Sequence, residues 1–253
     1  MAAVSGAVAL SALAVPTAHA DEAYGDTKIS NVVVNGGKAV VFGPTAKKAV
    51  KVTFTATDNR GINFAMALPY RGSNIEKATG ALLPDRADGY AKCTKVNSTT
   101  SNCVATFTVK PDEELLSSWA GNWKVWGVAS AKDGDYVEKD NIRTFKLLRQ
   151  AQLTVNATPE PVKKGKTLTV TGKLTRANWD TGKYAGHTQQ SVKLQFKKKG
   201  TSAYKTVKTV KSGTGGALKT TVKASVDGTY RYSFAGTSTS PAINSAGDAI
   251  DVK

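Results

Sequence analysis

The sequence predicts an all-β protein in which two β-sandwiches follow one another along the chain. Three observations lead to this prediction. Apolar and polar residues alternate over many short segments rich in Val and Thr, turn residues separate those segments at regular intervals, and no segment shows a sustained helical period. Short strands with regular turns are typical of sandwiches, in which each strand shows one face to the core.

Residues 21–150 are predicted to form the first sandwich. In Ala49–Thr57, written AVKVTFTAT, every second residue is apolar, and INFAMAL, CVATFTV, WKVWGVASA and IRTFKLL continue the series. In INFAMAL (Ile62–Leu68) the bulky alternate residues share one face. One helical turn is expected at PDEELLSSW, because Pro111 opens an acidic first turn there.

Residues 151–253 are predicted to form the second sandwich. The segments AQLTVNA, KTLTVTGKLT, SVKLQFKKK, AYKTVKTVK, ALKTTVKAS, GTYRYSFAG and DAIDVK give about seven strands, the number in a constant-type immunoglobulin domain. GNWKVWGVASA in the first unit and GTYRYSFAGTS in the second share a glycine, an aromatic residue and a basic residue at equal spacing. Both units are therefore predicted to be immunoglobulin-like, with their boundary near Gln150.

Residues 1–20 are predicted to be a signal peptide. The apolar run Val4–Val15 is too short to span a bilayer as a helix, and it is followed by Ala18-His19-Ala20, an A-x-A cleavage pattern. Cleavage after Ala20 would give a secreted, extracellular protein without a membrane span. No Lys or Arg precedes the apolar run, so the true translation start is expected to lie elsewhere.

The two cysteines, Cys93 and Cys103 in CTKVNSTTSNC, are predicted to form a disulfide. An even cysteine count in an exported chain favours a disulfide, and zinc would need more thiolates or histidines nearby. The polar residues between them indicate a hairpin tip. Closing a loop this short should contribute about 2–3 kcal/mol of stability.

Positive charge is concentrated in the second unit. The chain carries a net charge of +16. Residues 21–150 contain 18 basic and 14 acidic residues, whereas residues 151–253 contain 17 basic and 5 acidic ones, a balance of +12. Only Arg176 and Arg231 of those 17 are arginines. Because lysine is a hydrated point charge, this surface predicts diffuse attraction to a polyanion and not the reading of nucleic-acid bases.

On SVKLQFKKK the lysines alternate with apolar residues, and more lysines follow in the next strand. The residues predicted to bind an anionic cell-wall or extracellular polymer are Lys193, Lys197, Lys205, Lys208 and Lys211. The alternative interpretation is a solvated face that protects a sheet edge from aggregation.

The sequence predicts no enzymatic activity. His187 is the one histidine after residue 20, and no G-x-S-x-G motif or phosphate-binding loop is present. The sequence does not exclude a catalytic pair of carboxylates that come from different loops. In RANWDTGKYAGHTQQ, Trp179 and Tyr184 are candidates for stacking on a sugar, but the alternative is that Trp179 covers the end of the sandwich. The alternative to a catalytic role for His187 is that it is an ordinary residue of a polar connection.

KDGDYVEKDN, four acids in ten residues, raises the question of calcium. The spacing fails the EF-hand pattern and instead indicates a turn between two strands. In an immunoglobulin-like sandwich, however, this turn and the loop at DNRG lie at the same end. The predicted calcium ligands are Asp58, Asn59, Asp133, Asp135 and Asp140. The alternative is a solvated acidic turn, neutralised by Arg60, Lys132 and Lys139. No other cofactor is expected.

Several longer motifs are spread over nearly the whole chain after residue 20. They are DGYAKCT, NWKVW, AKDGDYV, LTVNATPEPVKKGKTLTVTGKLTRANW, SVKLQFKKKG and SFAGTSTS. With these motifs the chain resembles a family of secreted actinobacterial proteins that have two immunoglobulin-like domains, no established activity, and often the label of calcium-binding proteins. The resemblance implies the fold and the compartment. The function expected from sequence is therefore non-enzymatic polymer binding by a secreted protein. The alternatives are a calcium-binding extracellular module with an unknown partner, and an exported enzyme or enzyme inhibitor.

Overall fold

The structure, a computed structural model, describes residues 21–253, so the predicted signal segment lies outside the described residues. Residues 21–149 form ten strands and one short α-helix. In chain order these are β1 (Glu22–Tyr24), β2 (Lys28–Val34), β3 (Val40–Phe42), β4 (Lys48–Thr57), β5 (Ile62–Gly72), β6 (Ala78–Ala81), β7 (Lys92–Lys95), β8 (Thr100–Val109), α1 (Pro111–Glu114), β9 (Gly121–Ala131) and β10 (Tyr136–Arg149). The expected helical turn is thus confirmed at α1.

Ten further strands follow Gln150. They are β11 (Ala151–Leu153), β12 (Asn156–Thr158), β13 (Thr167–Asn178), β14 (Lys183–Gly186), β15 (Ser191–Lys198), β16 (Lys205–Lys211), β17 (Ala217–Lys223), β18 (Gly228–Phe234), β19 (Ile243–Asn244) and β20 (Asp248–Ile250). Within RANWDTGKYAGHTQQ, residues 176–178 and 183–186 pair in a hairpin of β13 and β14. None of the helices in residues 21–253 combines the length and apolar character that a membrane crossing requires.

The strand order confirms two immunoglobulin-like sandwiches. In the first unit, β2-β4-β8-β7 form one sheet, and β1-β10-β9-β5-β6 form the other, with β3 parallel to β10. This is the arrangement of strands A, B, E and D facing strands G, F and C. In the second unit, β13 pairs with β12 and β17, while β16-β15-β18 continue to β19 and β20. Neighbouring strands are nearly all antiparallel, as such sandwiches require.

Alternation along the strands builds the first core. In β4, Val50, Val52 and Phe54 are at most 2% exposed. In β5 the small residues Ala65 and Ala67 face the core, while the bulky residues of INFAMAL lie half-buried on the outer pleat. That outer pleat is covered by the connection between β6 and β7, in which the Tyr90 ring lies 4.8 Å from the Phe64 ring. Both pleats of β5 are thus apolar because both are covered.

The predicted disulfide is confirmed. Cys93 on β7 and Cys103 on β8 are directly opposite each other in the antiparallel register, and their sulfur atoms are bonded. Cys103 is buried in the first core. The bond therefore fixes the edge strand β7 to the core of its sheet.

The two units meet at a packed joint. Only Gln150 separates β10 from β11. The second unit has its own core, built around Leu168, Leu194 and Tyr232. The first core, however, includes Ala177 and Trp179, which belong to β13 and to the turn that follows it. The end of the second sandwich is therefore inserted into the first.

Candidate functional site

Two regions of the molecule are candidate binding sites, an acidic cluster in the first unit and a basic sheet face in the second. The acidic cluster lies where three connections converge. The β4–β5 and β9–β10 loops are in contact, because the Lys132 N–H donates to the Gly61 carbonyl oxygen at 3.0 Å. The β1–β2 turn joins them, and one carboxylate oxygen each of Asp26, Asp58 and Asp135 lies within 4.8 Å of the other two.

Hydrogen bonds hold these carboxylates in place. The Asp26 N–H donates to Asp135 Oδ2 at 3.0 Å, and the Thr27 hydroxyl donates to Asp58 Oδ2 at 2.7 Å. Asp58 Oδ1 accepts from the Arg60 N–H at 2.7 Å. Gly25 allows this close approach, because a Cβ at Gly25 would lie 1.6 Å from Asp135 Oδ2. The three acids are therefore positioned by backbone and by one hydroxyl.

The cluster carries unbalanced negative charge. Burial raises the pKa of Asp58, but hydrogen bonds from the Thr27 hydroxyl and the Arg60 N–H outweigh it and hold that pKa below its usual value. Asp58 is only 4% exposed, so an ionised carboxylate is buried there. Among residues 21–253 the ion pairs join Arg86 to Asp88, Lys110 to Glu113 and Lys199 to Asp227. In this part of the chain, Arg60, Lys132 and Lys139 form no direct ion pair with the cluster.

The geometry of the cluster suits calcium. Calcium takes six to eight oxygen ligands at about 2.4 Å, so oxygens on opposite sides of the ion are about 4.8 Å apart. The separations among the three carboxylates do not exceed that value. Each carboxylate keeps lone pairs that its hydrogen bonds do not use. Water would have to complete the coordination, as in many exposed calcium sites.

Of the five residues predicted from sequence as calcium ligands, Asp58 and Asp135 lie in the cluster. Asn59 lies beside them and donates its N–H to Asp26 Oδ1 at 3.4 Å. Asp133 instead stabilises the turn by accepting from the Asp135 N–H. Including Asp140 was wrong, because its carboxylate accepts hydrogen bonds from the Tyr70 hydroxyl and the Ile75 N–H farther along the sheet.

Sequence reasoning missed Asp26. This residue reaches the cluster because β1 pairs with β10 through Tyr24 and Tyr136, which places the β1–β2 turn beside the β9–β10 loop. The contact spans 109 residues of sequence between Asp26 and Asp135. The only local signal was GDT, an acid between glycine and threonine in a short turn.

The second candidate region is the basic face of the second unit. Four of the five lysines predicted to bind a polymer are exposed, and Lys197 is half-buried. Their strands, β15 and β16, are neighbours, but the register divides them between two pleats. Lys193 and Lys197 lie on the outer pleat, and so does Lys211, which is opposite Ser191. Lys205 and Lys208 lie opposite core-facing residues and reach solvent because β16 is an edge strand.

Trp179 is not a sugar platform, so that hypothesis was wrong. It is fully buried, its indole N–H donates to the Gly43 carbonyl oxygen at 3.0 Å, and its ring meets Phe42 edge-on at 6.3 Å. Trp179 covers the end of a sandwich, as the alternative held, but that sandwich is the first one. Tyr184 lies at the same joint, where its hydroxyl donates to Gln150 Oε1 at 2.8 Å.

His187 is buried and does not lie in a solvated loop. It is 5% exposed and packs edge-on against Phe234. Burial, together with the positive charges of Arg176 and Arg149, lowers the pKa of His187 to about 4. From sequence, His187 was expected in a polar connection. That connection is buried at His187, whose backbone carbonyl oxygen accepts a hydrogen bond from the Ser212 hydroxyl.

No protein-family model and no curated protein matches the chain. Solved structures with similar folds include a chimeric titin Z1Z2 carrying a peptide from decorin, at 11% identity, with 92% of this chain and 98% of that one covered and a TM-score of 0.25. The mouse nectin-like molecule 4 ectodomain is 14% identical, with 88% and 65% covered and a TM-score of 0.27. An amphioxus IgVJ-C2 molecule is 12% identical, with 84% and 99% covered and a TM-score of 0.28. The immunoglobulin-like assignment itself rests on the strand order above.

Proposed function

We propose that this protein is a secreted, non-enzymatic binding module that associates with anionic cell-wall or extracellular polymers through its second unit. An immunoglobulin-like fold suggests a binding or scaffold module, and a disulfide is typical of an extracellular one. The burial of His187 and its lowered pKa disfavour a role for it as a catalytic base. These features support a binding role over catalysis.

The observation that carries the proposal is the unpaired positive charge of residues 151–253. Their 17 basic residues face only 5 acidic ones. Within this unit the ion pair in the described structure is that of Lys199 with Asp227. Such a surface attracts a polyanion over a range that salt limits to roughly 8 Å at physiological ionic strength.

Retention on immobilised heparin or anionic cell-wall polymer tests this proposal. Replacing Lys193, Lys197, Lys205, Lys208 and Lys211 by Gln should lower the salt concentration that elutes the protein. The matched control replaces five exposed lysines of the first unit by Gln: Lys28, Lys51, Lys77, Lys92 and Lys95. Equal shifts for the two variants, which have the same net charge, would contradict a role of the second unit.

A second candidate function, calcium binding, is favoured by the cluster of Asp26, Asp58 and Asp135. The expected affinity is weak, about 10⁻⁴–10⁻³ M, as in other extracellular modules. With a dissociation constant of about 0.5 mM, 5 mM calcium would stabilise the fold by about 1.4 kcal/mol. Replacing Asp26 and Asp135 by Asn should abolish the resulting rise in melting temperature, whereas Asp133→Asn should preserve it. An unchanged melt of the unmodified protein at 5 mM calcium would rule this function out.

A further inference from the structure

The outer pleat of the sheet β16-β15-β18 contains positive and neutral polar side chains but no acid. Opposite one another on it lie Gln195 and Arg231, Lys197 and Thr229, and Lys193 and Ser233. The only acidic residue in the strands of this sheet, β20 included, is Asp248. It lies opposite the buried Tyr230, and its carboxylate accepts from the Ala157 N–H at 2.6 Å.

Arg231 is fixed at the centre of this pleat. Its Nε–H donates to Gln195 Oε1 at 2.8 Å, and its guanidinium carbon lies 3.8 Å from the ring centroid of Tyr204. Lys197 Nζ approaches the same ring at 5.2 Å. Stacking and the Nε bond leave the two terminal nitrogens without an acceptor among the described residues. The plane of the guanidinium group is thus fixed before a ligand binds, so binding costs little side-chain entropy.

The neighbouring cations extend from this fork in a row. Lys211 on β16, Lys193 on β15 and Arg231 on β18 are successive diagonal neighbours in the register. Diagonal neighbours in a sheet are about 7–8 Å apart, so each cation can face a different acidic group of one extended chain. The side chains between them are Ser, Thr and Gln, which exchange hydrogen bonds with hydroxyl groups.

We propose that this face binds a polysaccharide carrying carboxylates on its sugar units, with Arg231 pairing one carboxylate through two parallel hydrogen bonds. The site deepens the proposed function, on which it rests. A guanidinium fork can donate two parallel hydrogen bonds to a carboxylate or to a phosphate group. The cations of this row are diagonal neighbours with neutral side chains between them, so each meets one acidic group, and a carboxylate with one charge on two coplanar oxygens is satisfied by a single fork. Tyr204 and Gln195 position the guanidinium, and Lys193 and Lys211 contact acidic groups of neighbouring sugars.

Calorimetry of residues 21–253 with polygalacturonate tests the site, with dextran sulfate and polyphosphate as the sulfate and phosphate probes. Arg231→Lys preserves the charge and removes the fork, so affinity for polygalacturonate should fall at least about tenfold. Tyr204→Leu should cause a similar loss, whereas Tyr204→Phe should keep the ring and the affinity. Arg143→Lys, at an exposed arginine of the first unit, is the matched control and should change nothing.

The outcomes separate this site from the general proposal. If the unmodified protein binds all three probes and Arg231→Lys binds polygalacturonate equally well, the site is refuted while polymer binding by the second unit stands. Preference for polyphosphate or dextran sulfate at matched charge would also refute a carboxylate site. If the protein binds none of the three at low salt, the proposed function fails and the site fails with it.

Discussion

Replacing Trp179 by Ala should destabilise the first sandwich, although Trp179 belongs to the second. The side chain is fully buried in the first core, and its ring meets Phe42. Its indole N–H is bonded to Gly43, and its backbone N–H donates to the Ser117 hydroxyl at 2.9 Å. The substitution would leave a cavity at the joint and the Gly43 carbonyl without its donor.

The expected loss follows from those contacts. Truncating a buried tryptophan to alanine costs about 3–5 kcal/mol, which covers the lost transfer free energy and the cavity. For a chain of this size, 1 kcal/mol corresponds to about 2–4 °C, so the melting temperature should fall by roughly 6–20 °C. Trp179→Phe keeps most of the volume and loses the hydrogen bond, so it should cost less.

Urea unfolding followed by circular dichroism measures the effect, with Trp126→Ala as the matched control. Trp126 is half-buried on the outer pleat of β9 and donates to Glu138 Oε1 at 2.8 Å. Its truncation should cost about 1–2 kcal/mol, mainly through that charged hydrogen bond. A loss below 1 kcal/mol for Trp179→Ala, or one no larger than that for Trp126→Ala, would refute insertion of the second unit into the first core.

Two further predictions concern Cys93–Cys103 and His187. Thiol titration of the unfolded, unreduced protein should find no free sulfhydryl, and Cys93→Ala with Cys103→Ala should lower the free energy of unfolding by about 2–3 kcal/mol, which urea titration measures. The pKa of His187 falls from about 6.5 in the unfolded chain to about 4 in the folded one, so between these values the unfolded chain binds the proton more readily. The contribution of His187 to the free energy of unfolding is therefore complete above pH 6.5 and is lost as the pH falls towards 4. The loss should approach about 3 kcal/mol, and His187→Gln should flatten the stability–pH curve between those values; an equally steep curve for that variant would contradict the assignment.

The elements that sequence predicted best are those whose signal is local. Alternation in Ala49–Thr57 identified β4 and its buried residues, because one pleat of that strand faces the core and the other faces solvent. In β5 both pleats are covered, so alternation of size did not identify the core face. Lys208 lies three residues before Lys211 and therefore on the other pleat, and a bulge after Leu194 places Lys205 on that pleat as well.

Features that depend on distant contacts were not predictable in this way. Asp26 joins the acidic cluster only because the first strand pairs with the last strand of its unit. The local sequence around Trp179 does not distinguish a place in its own sandwich, on the surface or in the neighbouring core. Arg231 was one basic residue among 17, and only the positions of Tyr204 and Gln195 distinguish it.

The two candidate sites should act independently, because β10 separates them. Asp135 immediately precedes β10, and the second unit begins two residues after its end at Arg149. A strand of 14 residues at about 3.3 Å per residue places the acidic cluster about 45 Å from the joint. That distance is several times the roughly 8 Å screening length at physiological ionic strength. Calcium should therefore change polymer affinity equally in the unmodified protein and in a variant with Asp26→Asn and Asp135→Asn, because any effect then comes from calcium bound to acidic groups of the polymer. If calcium changes the affinity of the unmodified protein but not that of a variant with Asp26→Asn and Asp135→Asn, the joint would have to transmit the effect by a change in packing around Trp179.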